Sequence, residues 1–252
     1  MKYARNYDIE FWVDSDKVPF SPQIKKEMLD LMFNEFQGMF TPERYNTFEP
    51  VKKIVVSQDE LLKVWNDDDD FTLILKKITA PKMEYFSVDN AYKKTLGHHI
   101  YRLIFDIGKR VKTEIIDEFL TRMIDISKPI FCLATSDLHW EEKGRVKYLG
   151  KYGTSSHVIF FDDDRLCGIF WRTYFSKGLV DECHWGEIMN NLPCECQKLP
   201  DGYMLKVYDD CFNPDWDKED AIINVLGRKY IIDVKTYYKE RNLIPVDERF
   251  LY

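Results

Sequence analysis

Hydrophobic and polar positions along the chain change period several times, and the changes predict its elements. Tyr7-Asp8-Ile9-Glu10-Phe11-Trp12-Val13-Asp14 alternates as a half-buried strand does. Ser21-Pro22 supplies an N-cap and a first-turn proline, after which Ile24, Met28, Leu31, Met32 and Phe36 keep helical spacing to about Gln37. Val51 to Val56 reads as a short strand. Ser57-Gln58-Asp59-Glu60 is a capping box that opens a short helix carrying Leu61, Leu62 and Trp65, closed by the Asp67–Asp70 run.

Phe71 to Ile78 and His99 to Phe105 read as strands, and a helix from about Val111 to Asp125 turns Ile115, Ile116, Phe119, Met123 and Ile124 inward. Pro129 to Ala134 has the unbroken apolar character of an inner strand. From Asp137 to Ser156 the period dissolves into what reads as a polar loop with Gly144, Gly150 and Gly153. His157 to Phe161 and Gly168 to Phe175 read as strands joined by the turn Asp162-Asp163-Asp164, and Leu179 to Asn190 as a helix. Cys194 to Leu199 and Tyr203 to Tyr208 form a hairpin about Pro200-Asp201-Gly202. Asp215 caps a last helix through Ala221, Ile222 and Val225, stopped at Gly227. Strands in antiparallel-looking groups with helices between them predict an α+β fold: mainly antiparallel sheet, helices packed on one face, one domain over 1–252. The order strand, helix, strands recurs in residues 1–127 and 128–252, which suggests two similar halves.

Composition narrows the function. The chain has 252 residues, 45% of them hydrophobic and 15% aromatic, enough for a full core and for interface anchors. Its formal charge of −7 argues against a phosphate-backbone binder, whose affinity comes mainly from Lys and Arg. The partner expected of an acidic protein is a basic macromolecule, with no nucleic acid involved. The first residues turn acidic where a signal peptide would be apolar, and no stretch nears the ~18 apolar residues of a membrane span. A cytoplasmic location off the membrane is therefore expected, and the six irregularly spaced cysteines read as reduced thiols.

Candidate chemistry is sparse. Pro214-Asp215 followed by Asp233-Val234-Lys235 spells a string common in metal-dependent nucleases, where two carboxylates hold Mg²⁺ and a lysine stands beside the attacking water. In such enzymes the acids sit on neighbouring strands, whereas a capped helical stretch intervenes here. Cys183-His184 and Cys194-x-Cys196 could offer soft ligands, but an adjacent pair and a one-residue gap match zinc spacing poorly. His98, His99, His139 and His157 have no acid or nucleophile at helical or strand spacing, and the Gly150/Gly153 loop lacks a phosphate-binding Lys-Ser/Thr. The expectation is a protein without catalytic residues, metal or cofactor.

What remains is surface. Asp67, Asp68, Asp69 and Asp70, together with Asp162, Asp163 and Asp164, form two acidic turns that could answer a positive patch on a partner protein. Among Trp140, Trp171, Trp185 and Trp216, Trp171 suits the core, and Trp140, beside Glu141 and Glu142, is the aromatic expected to be exposed. These ten positions (the two acidic turns, Trp140, Glu141 and Glu142) are the candidate partner-binding residues.

Gly168-Ile169-Phe170-Trp171-Arg172-Thr173-Tyr174-Phe175 followed by Gly178-Leu179-Val180, and then Leu199-Pro200-Asp201-Gly202-Tyr203-Met204-Leu205-Lys206-Val207, resembles a pattern of bacterial immunity proteins. In that pattern a Trp-centred strand precedes a glycine, a short helix and a hairpin. The family it resembles is the Immunity protein 52 family, found beside polymorphic and type VI secretion toxins, and the match spans about 167–232. The resemblance implies a non-catalytic protein that binds and neutralises a cognate toxin effector domain in the cytoplasm. The alternatives are a metal-dependent nuclease-like enzyme using Asp215, Asp233 and Lys235, and an adaptor domain of a phage or mobile element.

Overall fold

The computed structural model describes residues 5–67, 73–80, 83–159 and 163–246. Among them lie twelve strands and seven α-helices in an α+β arrangement with antiparallel pairing. They form two compact units, Arg5–Tyr92 with His99–Ala134, and Lys93–His98 with the described residues from Thr135 onward.

In the first unit the strands lie in the order β7 (Phe131–Ser136), β1 (Asn6–Asp14), β6 (His98–Gly108), β5 (Met83–Thr95), β4 (Ile74–Lys77), β2 (Arg44–Asn46) and β3 (Lys53–Ile54). β1 is not half-buried as its alternation predicts, because Glu10 and Asp14 are buried along with the apolar residues. The Glu10 carboxylate is held by Trp12 Nε1 at 2.8 Å and Arg102 Nη1 at 3.1 Å, so its charge is matched inside the fold. The core beside it is aromatic. Phe105 meets Phe11, Phe86 and Phe119 with ring centroids 5.9, 4.6 and 5.0 Å apart, and Trp65 stands edge-on to Phe86 at 5.8 Å.

Local signals set the helices of this unit. Ser21 Oγ accepts the Ile24 N–H at the start of α1 (Pro22–Asn34), and Ser57 Oγ accepts the Glu60 N–H at the start of α2 (Gln58–Asn66). α1 ends before the Gln37 its spacing predicts, because Phe36 and Gln37 both take φ 53 and turn the Phe36 ring onto Phe40 at 5.1 Å. α3 (Thr113–Ser127) buries Ile116, Phe119, Leu120, Met123 and Ile124, while Ile115 is only partly covered. The predicted strand 51–56 shrinks to β3, and the predicted strand from Phe71 begins within the described residues at Ile74, since 71–72 lie outside them. β5 has no counterpart in the pattern reading.

The second unit departs further. The expected loop 137–156 is a helix and a hairpin: α4 (Asp137–Gly144), β8 (Arg145–Gly150) and β9 (Gly153–Val158). Ser136 Oγ caps α4 by accepting the His139 N–H, and Gly153, at φ +117, turns the hairpin at Lys151-Tyr152. The strand expected from His157 ends at Val158, and 160–162 fall outside the described residues. The predicted strand from Gly168 starts only at β10 (Arg172–Ser176), and the predicted helix 179–190 stops early as α5 (Lys177–Glu182). The hairpin is present as β11 (Glu195–Leu199) and β12 (Gly202–Lys206), in the order β11-β12-β10. Asp215 caps α6 (Trp216–Leu226), which ends at Gly227 with φ +99, and an unpredicted α7 (Val234–Glu240) follows. Trp171 and Trp185 are both buried, and Trp185 Nε1 donates to the Leu226 carbonyl at 2.9 Å.

Candidate functional site

The residues that sequence spacing marks for chemistry serve mostly to build the fold. Asp215 Oδ1 accepts the Lys218 N–H and Asp233 Oδ1 accepts the Thr236 N–H, so both are helix N-caps. Asp233 also accepts the Thr236 hydroxyl at 3.0 Å and pairs with Arg228. Lys235 faces Asp220 at 3.5 Å. Among the described residues no group of three or more His, Cys, Asp and Glu could hold a metal ion. Asp215→Ala should cost about 1 kcal/mol of unfolding free energy, as an exposed cap does. Asp233→Ala should cost about 2 kcal/mol or more, since it also removes the buried carboxylate that the Thr236 hydroxyl and Arg228 bind. Denaturant titration of the two variants checks the ranking.

All six cysteines are free thiols. Burial pushes the Cys183 and Cys194 thiols up to about 11, which keeps both protonated at neutral pH.

His98, His99, His139 and His157 each find a partner far along the chain. His98 Nε2 lies 3.1 Å from Glu182, His99 Nδ1 2.8 Å from Asp16, His139 Nε2 3.0 Å from Glu219 and His157 Nε2 2.6 Å from the Tyr237 hydroxyl. The His139 group is a buried polar cluster of the second unit. His139 and Lys143 stand one turn apart on α4, and Glu219 of α6 meets both, with Lys143 Nζ 2.6 Å from Oε2. All three side chains are 0–1% exposed. Lys143 also donates to the Ile169 carbonyl at 2.9 Å and sits over the rings of Phe170 and Trp216 at 5.2 and 5.4 Å.

The electrostatics follow from that packing. Burial works against the Glu219 charge, yet Lys143 and His139 hold its carboxyl below the ordinary value of 4.5. Burial lowers His139 from 6.5 against the pull of Glu219. A carboxylate can only accept, so His139 Nε2 carries the proton, and Nδ1 is a buried bare acceptor without a hydrogen-bond partner among the described residues. A second proton there would be stranded. The cluster is a buried Lys143–Glu219 ion pair whose carboxylate also accepts from a neutral His139 imidazole.

Beside it lies a cleft of about 580 Å³ lined by Tyr208, Asp209, Asp210, Asn213, Asp215 and Trp216 among others. Its acids are partly engaged, since Asp210 Oδ1 accepts the Phe212 N–H and Asp215 caps α6. The lining comes from one stretch of chain, 208–217, which runs from the end of β12 into α6.

The predicted partner-binding residues are dispersed. Asp67 is the exposed C-cap residue of α2, while Asp68, Asp69, Asp70 and Asp162 lie outside the described residues. Asp163 is bound by Arg165 at 2.8 Å and Arg241 at 3.4 Å; burial opposes ionisation, but Arg165 holds the carboxyl below its ordinary value. Asp164 is exposed. Glu141 pairs with Arg145 at 2.9 Å and Lys147 at 3.3 Å, and Glu142 is partly covered. Trp140 is not the exposed aromatic it was expected to be. It lies half-buried on α4, with its ring 3.3 Å from the place a Cβ on Gly144 would occupy. The far more exposed aromatic is Tyr152, at the β8–β9 turn.

No protein-family profile matches the chain, and no curated protein matches it. Among solved structures, the Pseudomonas aeruginosa T6SS protein PA0821 shares the fold, with a TM-score of 0.56 and 12% identity over 90% of this chain and 74% of that one. Among the described residues no helix is long and apolar enough to cross a membrane.

Proposed function

We propose that this chain is an immunity protein of a type VI secretion setting, one that binds and neutralises a cognate toxin domain in the cytoplasm without catalysing a reaction. The observation that carries the reading is the fold likeness to a T6SS protein over 90% of the chain. The resemblance of residues 167–232 to the Immunity protein 52 family points the same way. So does the use of the polar groups: the His139–Lys143–Glu219 cluster of the second unit is buried, and both nuclease-like acids cap helices. On this reading the chain acts by covering a surface of the toxin domain.

The test is co-expression with the effector encoded beside its gene. Cells making that effector should regain growth when this chain is present, and the two purified proteins should bind one to one with a Kd of about 1 nM or below, the affinity of a lasting complex. Growth that stays arrested with both proteins present in soluble form would overturn the proposal.

A further inference from the structure

The chain is acidic overall, yet one end of the first unit's sheet presents aliphatic side chains framed by cations. β3 is the last strand in the order β4-β2-β3. Ile54 stands opposite Arg44 of β2, and Arg44 stands opposite Lys76 of β4, so the three share one face. The pairing continues past β3, where Val55 donates its N–H to the Glu43 carbonyl at 3.1 Å. Glu43 Oε2 in turn accepts the Ile78 N–H beyond β4. Val56 and Ile78 follow Ile54 and Lys76 by two residues and extend that face. Ile54, Val56 and Ile78 are 65%, 77% and 51% exposed.

The backbone of the edge is open as well. Because Val55 turns its N–H toward β2, the alternation of an antiparallel pair turns the N–H and C=O of Ile54 away from it, toward solvent. The charges on this face are not all spent inside the fold. Lys76 pairs with Glu49, but no carboxylate of the described residues pairs with Arg44 or Lys52, and Arg44 Nη1 donates to the Lys52 carbonyl at 2.9 Å. Lysine on an edge strand disfavours pairing with a second copy, since like charges would meet across the junction. The same cations favour a strand of opposite charge.

We infer that the β3 edge is a docking site for an extended segment of a partner protein that alternates apolar residues with carboxylates and adds a strand beside Ile54. On the immunity reading, which supplies the partner's identity, that segment belongs to the toxin domain. The contact would then be apolar and acidic on the toxin side, opposite to what the net charge of this chain suggests.

The test uses two labelled synthetic peptides, one alternating Val with Glu and one alternating Val with Lys, titrated against the full chain by fluorescence anisotropy. The Val–Glu peptide should bind at least about tenfold more tightly than the Val–Lys peptide. Ile54→Pro, which removes the outward N–H at an edge position that tolerates proline, should abolish that binding while leaving thermal unfolding unchanged. Arg44→Glu with Lys52→Glu should reverse the preference. Equal affinities, binding untouched by Ile54→Pro, or self-association of the chain lost in Ile54→Pro would each overturn the inference. In the growth assay, rescue by the unaltered chain that persists with Ile54→Asp and Val56→Asp sinks this surface and leaves the immunity reading standing. A lack of rescue by the unaltered chain sinks that reading, while the peptides still judge the surface.

Discussion

Lys143→Met is expected to lower the unfolding free energy by about 3–5 kcal/mol, the range for removing one partner of a buried pair. The methionine fills a similar volume among Phe170 and Trp216, so the loss comes from electrostatics rather than from a cavity. Glu219 keeps His139 as a partner but loses the cation 2.6 Å away, and its charge stays where water cannot reach it. Adding Glu219→Gln to Lys143→Met should restore part of the stability, because the stranded charge is then gone; a double-mutant cycle on urea-unfolding curves reads this directly. If the two losses simply add, the cluster is not coupled as its geometry requires.

The same cluster fixes the sign of the pH dependence. His139 titrates below its ordinary 6.5 in the folded chain, so below that value the unfolded state binds the proton first and stability falls. Glu219 is likewise held below 4.5, and its contribution, complete above that value, is lost as the pH drops through its folded-state titration. Stability should therefore decline on acidification from about neutral pH. The part of the decline that belongs to Glu219 should be absent from the doubly substituted chain, where a glutamine cannot titrate.

Gly202→Ala is the second large effect, expected at about 1–3 kcal/mol from overpacking. A Cβ at residue 202 would clash with the Phe175 carbonyl oxygen and stand 2.6 Å from the Tyr174 ring. The first neighbour is backbone of the paired strand β10 and cannot swing aside. The second is pinned, because the Tyr174 hydroxyl donates to the Asp201 carbonyl at 2.9 Å across the turn. Gly186→Ala serves as the control, since a Cβ there meets nothing within 4 Å. Its cost should stay within about 0.5 kcal/mol, as for surface changes generally. Equal losses in the two variants by denaturant titration would show that the close approach at 202 relaxes freely.

Sequence by itself determined the pieces whose cause is local. Ser21, Ser57 and Asp215 each bond a backbone N–H three residues on, and Pro200-Asp201-Gly202 closes a two-residue turn, so both kinds of feature are visible within a few residues. The α+β class followed from them. Tertiary structure alone decided the rest, because polar residues were buried by partners far along the chain. Glu10 of β1 is matched by Arg102, and His139 and Lys143, which made α4 read as a polar loop, are matched by Glu219. His98, His99, His139 and His157 pair with residues 84, 83, 80 and 80 positions away, well beyond the reach of helical or strand spacing. Of the residues first read as surface, Asp163 is bound by two arginines, one of them 78 positions away, and Trp140 packs over Gly144, while Asp67 and Asp164 are exposed. Spacing along a chain reports which residues share a face. Which charges meet across that face is set by packing, and packing left the cations and aliphatic side chains of the β3 edge facing outward.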